Sequence, residues 1–189
     1  MRIEKIVLAI EDAIEKRCYL PALALTLAIP DICAQYDYPK IYKKKEIYKD
    51  HIGQGAAYAK WYDENIATYN IDPLTQINML DGWSCWRLRC GFLHNVSIDV
   101  DKDMSTNENT VCFKMVSSSD SNFDGTLGGV SSVSYNMSET GKATTNVIQF
   151  DIANFCGQVL AVLKHSYLND QEFVELANNK MLNYIELEY

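Results

Sequence analysis

Asp81–Asn95, DGWSCWRLRCGFLHN, holds two arginines, a histidine, two cysteines and two of the three tryptophans of the chain. Leu80, Trp83/Cys85, Leu88 and Phe92 recur at the spacing of one buried helical face, with Ile77 extending the pattern upstream. Asp72 or Thr75 is the expected N-cap, and Gly91 and Asn95 predict the C-terminal end. Arg89 and His94 are the chemistry-bearing pair, arranged as R-x4-H. On an unbroken helix such positions stand about 140° apart, so the spacing predicts convergence only where the helix frays or ends just before His94.

Working outward, Ile3, Ile6, Val7, Ile10 and Ile14 make the apolar side of an amphipathic first helix. The run from Leu20 to Ile29 stops at Pro30 and Asp31. That is too short for a bilayer, which takes about 20 apolar residues, so a buried helix kinked or restarted at Pro30 is expected, and no membrane partner. A third helix is expected from Gly53 to Tyr69. Two more complete the chain, one capped by Asp151 with Ile152, Phe155, Cys156, Val159, Leu160 and Leu163 inward. The other starts at Asn169 or Asp170 and buries Phe173, Val174, Ala177, Met181, Leu182 and Ile185. Between them, Val111–Val116, Val130–Tyr135 and Thr144–Phe150 read as strands. The expected architecture is mainly α: about six helices in one domain over 1–189, with a small β insertion at 98–150.

The net charge is −8, and its placement matters more than its size. Residues 1–98 hold 12 basic and 12 acidic residues, while 99–189 hold 5 and 13, so any polyanion site must be local and lie in the first half. The one basic run is PKIYKKKEIYKD, residues 39–50, either a solvated loop or a phosphate-binding patch with Tyr42 and Tyr48 for base stacking. Acids in every turn of the N-terminus argue against an export signal and for a cytoplasmic setting. The six cysteines, without a CxxC pair, are then expected as reduced thiols, most of them core-filling, and the sequons at Asn95 and Asn136 as coincidence.

Chemically, an arginine presents a permanently charged fork suited to phosphate, and a neutral histidine exchanges a proton near neutral pH. Together they suffice for metal-free RNA cleavage. The plain alternative is that Arg89 pairs with an acid such as Asp31 while His94 caps a helix end.

Arg87–His94, RLRCGFLH, resembles the LRCxFLH segment of small bacterial and phage-type proteins of the HEPN superfamily. Ala28–Cys33, AIPDIC, and Lys60–Asp63, KWYD, resemble further segments of those proteins in the same order, so the resemblance spans roughly residues 20–95. It implies a HEPN-like helical bundle, commonly a homodimer with two R-x4-6-H motifs across one cleft. For active members it implies metal-independent endoribonuclease activity, often in defence or toxin–antitoxin settings with an antitoxin protein as partner. Carried over by position, Arg89 and His94 are the catalytic pair. Active members often have Asn directly after the arginine, where this chain has Cys90, and many members bind or signal without cutting. A non-catalytic RNA- or nucleotide-binding module is therefore the rival expectation. Lys43, Lys44, Lys45, Tyr42, Asn95 and Asp31 are the candidate substrate-binding residues.

Neither a metal nor a cofactor is expected. Cys90 and His94 share a helical face with Cys85 nearby, but no fourth ligand is placed to complete a tetrahedral site. Cys90 reads as a structural thiol. Gly125–Gly129 lacks the Lys-Ser/Thr of a phosphate loop and reads as a turn. Trp83 and Trp86 are expected as core or interface aromatics.

Overall fold

The computed structural model describes residues 2–43, 53–71, 76, 78–95, 110–116, 130–137 and 143–180. These form helices α1 (Arg2–Glu15), α2 (Tyr19–Asp37), α3 (Pro39–Tyr42), α4 (Gln54–Asn65) and α5 (Gly82–Asn95). Strands β1 (Thr110–Val116), β2 (Val130–Met137) and β3 (Ala143–Asp151) follow, then α6 (Ile152–Ser166) and α7 (Gln171–Lys180). The chain is mainly helical, as its periodicity predicts. Lys44–Ile52, Asp72–Thr75, Ile77 and the 181–189 tail, with the expectations placed on them, lie outside the described residues.

α2 is the hub. Its apolar residues are not confined to one stripe: Ala22, Leu23, Leu27, Ile29, Pro30, Cys33 and Ala34 are buried on one broad face, and Ala24, Leu25, Ala28 and Ile32 are half-buried on the other. A helix apolar on every side must be surrounded, and α2 touches each of the other six helices. Pro30 does not restart it. The helix runs through Pro30 without a break, so Asp31 lies within the helix. The lost N–H bond at Pro30 is tolerated because packing on all sides holds the turn.

α1 buries Ile3, Val7, Ile10 and Ala13, and half-buries Ile6 and Ile14. Its first turn is capped across the fold, where Asn178 Oδ1 accepts from the Arg2 and Ile3 amides at 2.8 and 3.1 Å. An aromatic cluster joins α4 to the C-terminal helices. Trp61 Nε1 donates to Tyr167 Oη at 2.6 Å, Tyr167 donates to Asp37, and the Tyr62 and Phe155 rings stack at 6.4 Å.

α5 begins later than the periodicity suggests. Leu80 is buried ahead of the helix, and Asp81 is the cap, its Oδ1 accepting the Ser84 amide at 2.7 Å. At Gly82, its first residue, an added Cβ would lie 2.1 Å from the Ala59 carbonyl oxygen. The Gly82 amide donates to Asp63 Oδ1 at 2.7 Å, so α5 starts in backbone contact with α4. Such an approach is open only to glycine.

The three strands form one sheet of order β1-β3-β2. β3 is central, parallel to β1 with Thr110 opposite Thr145, and antiparallel to β2 with Val130 opposite Phe150. β3 passes into α6 without a loop. Asp151 is both the last strand residue and the N-cap, accepting the Asn154 amide at 2.8 Å. Asp170 caps α7 in the same way, through the Glu172 and Phe173 amides. Among the described residues no helix is long and apolar enough to cross a membrane.

Gly82→Ala is expected to destabilise the fold by ~3 kcal/mol in chemical denaturation, the upper end for overpacking against rigid backbone. Gly157→Ala, on an exposed stretch of α6 with nothing within 4 Å of the added Cβ, is expected to stabilise by ~0.5–1 kcal/mol. Equal effects of the two substitutions would contradict the packing described.

Candidate functional site

Arg89 and His94 do meet, but not by the expected route. α5 stays helical through Asn95, and still Arg89 Nη1 lies 3.4 Å from His94 Nε2. The long arginine side chain spans the angular gap, so the expected helix break is unnecessary. A guanidinium only donates. The contact is therefore a hydrogen bond only when Nε2 carries a lone pair, with the imidazole proton on Nδ1. At 3.4 Å it is long for a hydrogen bond, so an entering oxyanion gives up little by displacing it.

Two features hold the guanidinium. Nη2 forms an ion pair with Asp31 Oδ2 at 3.3 Å, with side chains 16% and 14% exposed. The Trp86 ring lies beneath it, 4.9 Å from Cζ to the ring centroid, a cation–π geometry. Trp86 in turn packs on Tyr58, ring centroids 5.1 Å apart, and approaches Gly55 so closely that a Cβ there would be 2.9 Å from Trp86 Nε1. Arg89 Nε is buried and has no hydrogen-bond partner. His94 is exposed.

Asp31 is itself heavily solvated by protein. Gln54 Nε2 donates to Oδ1 and Oδ2 at 2.9 and 2.8 Å. Tyr42 donates to Oδ1 at 3.4 Å and accepts from Gln35 Nε2 at 2.7 Å. Burial and the Asp31 carboxylate push the Tyr42 phenol up to about 12, which keeps it a donor throughout the neutral range. Tyr42, a stacking candidate if the 39–50 run binds phosphate, is half-buried against the core and engaged through its hydroxyl. α2, α3, α4 and α5 thus contribute to one polar cluster.

Of the other candidates, Lys43 is exposed at the end of α3. Lys44 and Lys45 lie outside the described residues, as does the Asn95 side chain. Gln54 was not singled out by sequence reading. Its only local signal is a polar residue following Gly53, whose φ of 93° turns the chain into α4. A groove of about 330 Å³ opens elsewhere, between α3, α4 and the start of α5, with Trp83, Lys60 and Asp63 on its walls. Arg89 and His94 do not line it.

The thiols divide by burial. Cys33, Cys85 and Cys156 are buried, which raises all three, Cys85 to about 12 and Cys156 to about 11. Thiolate chemistry at these positions is thereby suppressed. Cys18 is exposed.

Comparison with protein-family models, curated proteins and solved structures finds no match to this chain.

A double-mutant cycle of Asp31→Asn and Arg89→Met, followed by urea denaturation, is expected to give a coupling of about 1–3 kcal/mol, the range for a contacting charge pair. Additive single effects would show that the ion pair does not hold the helices together. In thiol titration with Ellman's reagent, Cys18 is expected to react in the native protein, while Cys33, Cys85 and Cys156 react only on unfolding. Native labelling of any of those three would contradict their placement in the core.

Proposed function

We propose that this chain is a metal-independent endoribonuclease of the HEPN type. The observation that carries the reading is the Arg89–His94 contact, made by an exposed imidazole and a guanidinium whose other edge is tied down. The sequence resemblance over residues 20–95 supports the same reading.

A phosphodiester entering at this pair takes over the Nη1 donor and leaves the Nε2 lone pair facing the ribose. His94 then accepts the 2′-hydroxyl proton as the 2′-oxygen attacks phosphorus. Arg89 stabilises the charge that builds on the non-bridging oxygens. The bond from phosphorus to the 5′-oxygen breaks, that oxygen takes up a proton from water or from the His94 of a second copy, and a 2′,3′-cyclic phosphate remains. Atoms and charge balance without an added cofactor. In a homodimer two such pairs would face one RNA, and a toxin–antitoxin or defence role in the cytoplasm would follow the same resemblance.

The Arg89–Asp31 ion pair favours a second reading, a non-catalytic module that holds RNA or a nucleotide phosphate, because the carboxylate offsets part of the arginine charge. The two readings separate in one experiment. RNA incubated with the unaltered chain in EDTA is expected to yield 2′,3′-cyclic phosphate and 5′-hydroxyl ends. His94→Ala is expected to lose about 10²–10⁴-fold in rate. RNA that is bound but uncut, or cut equally by both proteins, would establish the binding module or sink the enzyme reading respectively.

A further inference from the structure

The geometry points to Asp31 as a positioning residue: Gln54 fixes its carboxylate so that Arg89 is held with its Nη1 edge toward His94. For its catalytic consequence this rests on the ribonuclease reading above. The geometry itself does not.

The distances assign the direction of control. Gln54 Nε2 reaches both Asp31 oxygens at 2.9 and 2.8 Å, whereas Arg89 Nη2 reaches one of them at 3.3 Å. The carboxylate is therefore placed from the α4 side, and the arginine follows it. Tyr42 adds a weaker bond from α3, with Gln35 holding its hydroxyl in turn.

An arginine otherwise has four side-chain torsions to spend. Anchored at Nη2 by Asp31 and on its face by Trp86, its guanidinium presents the Nη1 edge to His94. If Asp31 served only to cancel a charge, the arginine alone would satisfy it. Two neutral groups instead donate to the same carboxylate. Hydrogen bonds spread its negative charge away from the arginine, leaving more positive potential on the edge that faces His94. The arrangement fixes orientation while limiting neutralisation. Gln54 depends for its placement on Gly53, whose φ of 93° is strained for any side-chain-bearing residue.

The test uses the full chain and inorganic phosphate as the probe, with NMR of the Arg89 Nε–H and His94 ring signals. In the unaltered protein phosphate is expected to move both sets of signals together. In Asp31→Ala and Gln54→Ala the Arg89 signal should still respond while the His94 signals no longer do, and Asp31→Asn, which retains an acceptor, should recover part of the joint response. Gln54→Ala leaves no charge unpaired, so it carries the test where Asp31→Ala fails to fold. In RNA cleavage, Asp31→Ala is expected to lower kcat by about 100-fold, the scale of a misplaced catalytic group, with KM nearly unchanged. Joint movement of both signals in Asp31→Ala and Gln54→Ala, as in the unaltered chain, would overturn the proposal, and so would phosphate moving neither signal in the unaltered chain. Absence of RNA cleavage by the unaltered chain would remove the ribonuclease reading alone, because the phosphate titration still decides the role of Asp31.

Discussion

A helix that is apolar on every side has no face to give to water, and α2 imposes that constraint on the whole molecule. Its buried residues fill one broad face, Ala24, Leu25, Ala28 and Ile32 on the other side are partly covered, and six other helices pack against it. Burying a leucine or isoleucine side chain stabilises by about 1.5–3 kcal/mol. Leu23, Leu27 and Ile29, all fully buried, therefore outweigh the local cost of a proline inside the helix.

The two charged residues of α2 then need partners. Asp31 faces α5 and meets Arg89, and Asp37 receives the hydroxyl of Tyr167 just beyond α6. Each carboxylate orients a different neighbour against the hub. Breaking a largely buried ion pair by removing one partner leaves an uncompensated charge, which costs more than the pair itself contributes. The polar cluster around Arg89 is in this sense a consequence of the hub: once Asp31 sits on a surrounded helix, donors must come to it. Gln54, Tyr42 and Arg89 are those donors.

The placement of α5 sets where Arg89 can reach. Gly82 seats the helix against the α4 backbone, and Gly55 lets Trp86 close on the same helix. Trp86 then supports the guanidinium from below. Three residues of the α5 stretch thus act in sequence, one as a contact point, one as a platform and one as the charge. Further along, His94 stays exposed at the end of the same helix.

Much of the fold was legible because its signals are local. The first helix, the cap at Asp151, the cap at one of Asn169 and Asp170, and the three strands to within two residues follow from periodicity, capping chemistry and β-branching. Two local inferences failed. Pro30 is a reasonable helix boundary in isolation, but packing carries α2 through it, and the periodicity that starts at Ile77 becomes helix only at Gly82. The site divides along the same line. Arg89, His94 and Asp31 could be picked out by residue type, whereas Gln54 and the supporting role of Trp86 could not, because nothing in their own neighbourhoods points to Asp31 or Arg89. By itself the amino-acid sequence determined most of the helices and strands and which faces are apolar, and it marked Arg89, His94 and Asp31 as candidates by residue type, since these depend on neighbours along the chain. Only the tertiary structure decided that Arg89 meets His94 on an unbroken helix and that Gln54 governs Asp31. Those contacts join residues 5 to 58 positions apart, and their distances are set by how α2, α4 and α5 pack.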